Sequence, residues 1–141
     1  MNQTIEKFGY PATLIKEYQH WVILLRPQQA TLGALILACK EPVLGFGEVS
    51  ADAFAEMGLV TSELEVCLKT CFAYDKINYM LLMMIDPHVH FHVLPRYKET
   101  REFGGVRFAD PGWPALPKLD HVADMDETCR AVLIQQVKDN W

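Results

Sequence analysis

Hydrophobic and polar residues recur with a helical period in the middle of the chain. Apolar side chains follow one another at steps of three and four residues from Phe54 to Cys71, and acidic side chains lie largely off that stripe. Ser50 is a favourable N-cap, and Asp52 lies in the first turn, where a negative charge is stabilising. The pattern predicts one long helix from Ser50 to about Cys71 or Phe72, with its apolar stripe in the core.

Short apolar runs rich in β-branched residues predict strands on both sides of this helix. The predicted strands cover residues 21–25, 32–38, 76–85 and 88–94, with one more short strand or turn near 14–17. The run over 76–85 is apolar on both faces, which predicts that both faces are covered. Residues 1–20 otherwise predict an irregular lead-in. Glycines and prolines between 104 and 117 predict an extended segment without regular structure.

A final helix is predicted from Asp126, a good N-cap, to about Val137. We therefore expect an α+β fold: an antiparallel sheet of about five strands, one long helix packed on it, and a C-terminal helix. The length of 141 residues suits a single domain, 1–141, with one core. Residues 98–141 are expected to form a C-terminal extension of loop plus helix.

Composition narrows the class of protein. The net charge is −5 and no basic stripe is visible, which argues against a non-specific nucleic-acid-binding protein but not against small anionic substrates. The four cysteines form no CxxC pair and are expected to be buried thiols. With no apolar leader at the start of the chain, this predicts a reducing cytoplasm. The apolar runs are far shorter than the ~20 residues that span a bilayer.

Three of the five histidines stand at every second position: His88, His90 and His92. In a strand these side chains share one face, while the apolar residues between them face the other way. Histidine is the side chain whose ordinary pKa, about 6.5, puts both protonation states within reach near neutral pH. A row of three on an open face therefore predicts nucleophilic catalysis, phosphate binding or metal binding.

The segment His88-Val89-His90-Phe91-His92-Val93-Leu94 resembles the signature of the histidine triad (HIT) superfamily of nucleotide hydrolases and transferases. The resemblance implies that His90 is the nucleophile. It would attack the α-phosphorus of a nucleoside phosphoramidate or dinucleoside polyphosphate and form a covalent nucleotidyl-histidine. His88 and His92 would flank the phosphate and donate hydrogen bonds. Histidine at the third position favours the hydrolase side, since relatives that transfer nucleotides usually have glutamine there.

The same resemblance implies a homodimer paired through the long helix and the adjoining strand, with two separate sites and no cofactor. Arg26 lies where relatives often keep an asparagine near the substrate, and it suits bidentate pairing with a phosphate. Leu24 is expected in the base pocket, and Asn78 is a further substrate-binding candidate. The usual glycine-rich loop and its glutamine before the first histidine are absent, so substrate contact on that side must differ.

Two other hypotheses remain open. Alternating histidines can ligate Zn²⁺, with Asp86, Glu41 or His121 completing the set. However, three consecutive same-face histidines are too far apart for one ion at bond lengths of ~2.0–2.1 Å without distortion. The second alternative is a nucleotide-binding domain that keeps the triad but has no turnover, because accessory residues of the family are missing.

Overall fold

The centre of the fold is a five-stranded antiparallel sheet in the order β1-β2-β3-β5-β4. A computed structural model describes all residues from 1 to 141. In chain order, the elements are α1 (Gln3–Lys7), β1 (Leu14–Glu17), β2 (Trp21–Leu25), β3 (Leu35–Cys39), α2 (Ala51–Phe72), β4 (Lys76–Leu81), β5 (His90–Arg96), β6 (Arg101–Phe103), β7 (Val106–Phe108) and α3 (Glu127–Asp139). The predicted α+β class and the five-stranded sheet are confirmed.

One face of the sheet packs against α2. The side chain of Ser50 accepts a hydrogen bond from Ala53 N–H and so caps the helix, as predicted. The helix ends at Phe72, whose ring lies against Gly33. A Cβ at Gly33 would lie 2.6 Å from that ring, and this glycine has φ +81°, which also favours glycine. The main core lies between this helix and the inward-facing residues of the sheet, among them Trp21, Ile23, Leu25, Leu35, Leu37 and Val93.

The opposite face of the sheet carries a smaller apolar cluster that is covered by α1. Ile5 of α1 is fully buried there. It packs on two rows of strand residues, which are Val22 with Ala38 and Leu24 with Ile36. The strand register continues these rows into β5, because Ala38 pairs with His90 and Ile36 pairs with His92. The sequence predicted an irregular lead-in here. A helix forms because its apolar side chain finds this second face.

β4 departs from its predicted environment. It is an edge strand that ends at Leu81, and its residues are exposed or only partly buried. The expectation of cover on both faces is therefore wrong. The following loop exposes Met84 and Ile85 at 87% and 86%. Apolar composition alone does not distinguish a central strand from an edge strand, because burial depends on which neighbours pair with it.

The segment after β5 is more regular than predicted. β6 and β7 form a two-stranded antiparallel hairpin in place of a segment without regular structure. α3 begins after the predicted cap, with Cys129 N–H donating to the Asp126 side chain. The helix contacts β1 and α2 of the same chain. None of the helices has both the length and the apolar character needed to cross a bilayer.

Candidate active site

His90 and His92 lie together in the middle of the sheet on the face away from α2. They belong to β5, which runs between β3 and β4. Their ring centroids are 5.2 Å apart, as expected for next-but-one residues of a strand. His88 does not share that strand. It precedes β5 in a bend, and its ring turns to α1. The expectation that one strand carries all three imidazoles is wrong for His88, because pairing with β3 begins only at His90.

The tautomer of the neutral His90 ring is fixed by a hydrogen bond to a backbone carbonyl. Its Nδ1 lies 2.7 Å from the carbonyl oxygen of His88, and a carbonyl can only accept. Nδ1 therefore carries the proton and Nε2 carries the lone pair. That Nε2 is buried, with less than 1 Å² accessible, and it has no hydrogen-bond partner. An unpaired buried acceptor costs about 1–3 kcal/mol and is uncommon in folded proteins, so this atom calls for a functional explanation.

His92 is held in the opposite tautomer. The Nε–H of Arg26 donates to its Nδ1 across 3.3 Å, and an arginine has no acceptor. The proton of neutral His92 is therefore on Nε2. Burial, followed by the nearby Arg26 charge and His90, lowers the pKa of His92 to about 4, with Asp86 acting in the opposite direction. His92 is thus a neutral hydrogen-bond donor at neutral pH.

His88 is tied to the N-terminal helix. The hydroxyl of Thr4 lies 2.9 Å from His88 Nδ1 and also accepts the backbone N–H of His88 at 3.2 Å. These two residues are 84 positions apart in the chain. Nothing in the sequence indicated Thr4, because a polar residue in a five-residue helix carries no pattern of its own.

An aromatic ring covers the two central histidines. The centroid of Phe8 lies 5.4 Å from that of His90 and 5.8 Å from that of His92. Phe8 follows α1 directly and is only partly buried itself. Beside it opens a cavity of about 270 Å³ lined by Lys7, Phe8, Arg26, Pro27 and Gln28. The Phe8 side chain from the N-terminal segment thus packs over His90 and His92. The small cavity beside it is lined by two cationic residues, Lys7 and Arg26.

Of the three predicted substrate-binding residues, the structure brings only Arg26 to the triad. Leu24 is fully buried under α1 and lines no cavity. The Asn78 oxygen accepts from Arg96 at 2.7 Å, so its side chain serves that guanidinium. Leu24 shares the face of the triad, but Ile5 of α1 packs on it, and no local pattern indicated that cover.

A larger cavity lies away from the triad. It measures about 780 Å³ between β4 and the segment 114–117, and Arg96 and Asn78 face it. The polar groups there are already paired, since Arg96 donates to Asp110, Asn78 and the carbonyl of Ala115. The charged group of this cavity is thus already occupied, so size alone does not identify the site.

The residues considered for a metal site do not converge. No group of three histidine, cysteine or acidic side chains is arranged to hold an ion. Asp86 pairs with Lys7, and Glu41 accepts two hydrogen bonds from Ser50. His121 belongs to the C-terminal segment, where its N–H bonds the carbonyl of Lys118. The carboxylates proposed as completing ligands are therefore committed elsewhere.

The fold is similar to that of histidine triad proteins of known structure. A histidine triad protein from Sinorhizobium meliloti 1021 aligns over 100% of this chain and 96% of its own, with a TM-score of 0.77 and 20% identity. A histidine triad protein from Marinobacter aquaeolei VT8 aligns over 95% of this chain and 91% of its own, with a TM-score of 0.74 and 19% identity. A Zn-bound histidine triad family protein from Mycobacterium smegmatis aligns over 96% of this chain and 90% of its own, with a TM-score of 0.62 and 19% identity.

The chain therefore has the histidine triad fold, as the motif predicted. No model of a protein family matches the sequence, and no curated protein matches it. At 19% to 20% sequence identity, the likeness to these proteins is one of fold.

Proposed function

We propose that this protein is a histidine triad hydrolase that cleaves at the α-phosphate of nucleoside phosphoramidates or dinucleoside polyphosphates. The observation that carries the proposal is the buried Nε2 of His90, which has no hydrogen-bond partner. The His88 carbonyl holds the ring proton on Nδ1 and so leaves the lone pair on Nε2. A neutral imidazole nitrogen in this state is a competent nucleophile. Incubation with adenosine phosphoramidate tests the proposal, with AMP as the expected product.

The reaction would proceed in two displacements. The lone pair of His90 Nε2 forms an N–P bond at the α-phosphorus, and the bond from phosphorus to the leaving nitrogen or oxygen breaks. The leaving group departs with that electron pair and takes up a proton. Water then forms a P–O bond and gives up a proton, which balances the proton taken by the leaving group. The N–P bond breaks with its electron pair returning to His90 Nε2, and nucleoside monophosphate is released. A covalent intermediate divides one difficult displacement into two easier ones.

Two groups on one side of His90 are suited to the phosphate. The Nε2–H of His92 is free to donate to a non-bridging or leaving oxygen, where charge develops in the transition state. Arg26 adds a positive charge directly behind His92 and borders the small cavity. Its guanidinium also donates to the carbonyl of Gln28 at 2.5 Å, which holds it in place.

We expect replacement of Arg26 by methionine to raise KM for the nucleotide substrate by roughly 10- to 100-fold, the usual effect of losing a charged hydrogen bond. The pKa of His92 should rise from about 4, because a like charge is removed, but burial keeps it below its ordinary value. Steady-state kinetics and an NMR titration of His92 measure the two effects. Arg26→Lys is the matched control, since it keeps the charge and loses the Nε donor. An unchanged KM in both variants would exclude Arg26 from substrate binding.

The same shift predicts how stability depends on pH. In the unfolded chain His92 titrates near 6.5, and in the folded protein near 4. Between these values the unfolded state binds more protons, so the free energy of unfolding rises with pH. The contribution of His92 is fully present above about pH 6.5 and is lost as the pH falls toward 4. In Arg26→Met the pH range over which this contribution changes should become narrower, because the folded-state pKa of His92 rises toward its unfolded value.

Substrate must displace Phe8 to reach His90. We expect Phe8→Ala to speed chemical modification of His90 by a small imidazole-reactive reagent such as diethylpyrocarbonate, because the ring that covers Nε2 is removed. Peptide mapping after timed exposure measures the rate at His90. Phe46→Ala is the control, because Phe46 packs on Phe91 and Phe54 rather than on the triad. Equal rates in wild type and Phe8→Ala would show that Phe8 does not limit access.

The cover over His90 also favours one alternative, a nucleotide-binding domain without turnover. In that case AMP would bind and no AMP would be produced from the phosphoramidate. The homodimer, the cytoplasmic location and the absence of nucleic-acid partners stay predictions. The exposure of Leu59 and Val66 on α2, at 56% and 66%, supports pairing through that helix.

A further inference from the structure

α1 is fixed to the sheet at several points around the first histidine. The Asn2 side-chain amide donates to the carbonyl of Cys39 at 3.1 Å, and Ile5 is fully buried. Thr4, between them, is only 2% exposed. A buried hydroxyl needs partners, and both partners of Thr4 belong to His88. The N-terminal helix therefore contributes directly to the geometry of the triad.

The hydrogen bonds of Thr4 decide where the proton of His88 lies. A hydroxyl has one proton to donate and two lone pairs. The backbone N–H of His88 uses one lone pair. The acceptor in reach of the hydroxyl proton is His88 Nδ1, at 2.9 Å. If Nδ1 were itself protonated, the Thr4 proton would have no partner in a buried position, which costs about 1–3 kcal/mol.

We propose that Thr4 is a positioning residue that holds His88 as the Nε2–H tautomer, so that the site presents a second neutral donor. With His92 also protonated on Nε2 and His90 on Nδ1, the three histidines then carry two Nε2–H donors and one Nε2 lone pair. The purpose of this pattern, donation to phosphate oxygens on both sides of the nucleophile, rests on the proposed function. The tautomer itself does not.

Long-range ¹H–¹⁵N correlation spectra of the labelled protein test the tautomer, because they separate protonated from unprotonated ring nitrogens. His88 is assigned by its absence from the spectrum of His88→Gln. We expect Nε2–H for His88 in the wild type and in Thr4→Ser, which keeps the hydroxyl. In Thr4→Val, which has nearly the same shape and no hydroxyl, a mixture of tautomers should appear. Asn2→Ala is the control, since it weakens the anchoring of α1 without touching His88.

His88 protonated on Nδ1 in the wild type would overturn the proposal, as would an unchanged His88 signal in Thr4→Val. If Thr4→Val does not fold, the wild type and Thr4→Ser still decide the tautomer. These outcomes are read on the free protein. They therefore stand whether or not the protein turns over a nucleotide, and a failure of the proposed function is seen separately in the assay for AMP.

Kinetics give a second readout with adenosine phosphoramidate. We expect Thr4→Val to lower kcat by roughly 10-fold with little change in KM, which is milder than the loss of a whole transition-state donor. Thr4→Ser should restore kcat. An equal loss of kcat in Asn2→Ala, or no recovery in Thr4→Ser, would assign the effect to docking of α1 and contradict a role for the hydroxyl.

Discussion

Replacement of His90 by alanine is expected to reduce the release of AMP from adenosine phosphoramidate by at least about 10³-fold, as is typical for the loss of a nucleophile. The physical reason is that His90 Nε2 is an unprotonated ring nitrogen without a hydrogen-bond partner, in a ring that lies beside the His92 imidazole. The expected covalent adduct gives a second measurement. Rapid quench under alkaline conditions and mass spectrometry should find a nucleotidyl group on the wild-type peptide 88–96 and none on the variant.

The matched control for this variant is His121→Ala, because His121 lies in the C-terminal segment, where its backbone N–H bonds the carbonyl of Lys118. Its activity should equal that of the wild type. AMP should still bind to His90→Ala, since Arg26 and His92 are intact. If His90→Ala retained near-full turnover, covalent catalysis by this residue would be excluded. If neither protein released AMP while both bound it, the domain without turnover would be favoured.

The largest loss of stability is expected at Asp110. Its carboxylate receives Arg96 Nε at 2.7 Å and the same guanidinium again at 3.1 Å, and it accepts the backbone N–H of Tyr97 at 3.1 Å. The side chains of Arg96 and Asp110 are 4% and 0% exposed. Asp110→Ala leaves a buried guanidinium without its counter-charge, which costs about 3–5 kcal/mol in unfolding free energy.

Equilibrium denaturation in urea measures this loss. Glu127→Ala is the control, because Glu127 pairs with Arg130 at the surface and is 90% exposed as a side chain. Such pairs contribute about 0–1 kcal/mol. A loss below about 1 kcal/mol in Asp110→Ala would contradict this account of the pair. Because Asp110 follows the triad strand by fourteen residues, the same variant also tests how firmly the C-terminal segment is held against β5.

Much of the scaffold followed from local patterns. The helix from Ser50 to Phe72, the final helix after Asp126 and the strand at Trp21–Leu25 were all predictable, because capping and periodicity act over neighbouring residues. Arg26 was also expected near the substrate from the family resemblance, and the structure places it beside His92. The environment of β4 was not, since nothing in its sequence says that it lies at an edge.

The contacts that complete the site come from distant parts of the chain. Thr4 and Phe8 reach the triad from a segment that had no predicted structure. On the other side, the carbonyl of Leu119 approaches the Arg26 guanidinium at 3.5 Å, so the C-terminal segment borders the site of its own chain. None of these residues belongs to a motif, and each depends on how a loop returns to the sheet.

The sequence by itself determined the alternation that brings His90 and His92 to one face, because side chains of a strand alternate with a period of two whatever surrounds them. It also determined the caps of the long helix and of the final helix. Only the tertiary structure decided which ring nitrogen carries each proton. It also decided that Phe8 covers His90 and that Leu24 is sealed under α1. These properties depend on partners that are far away in sequence, and no local pattern encodes them.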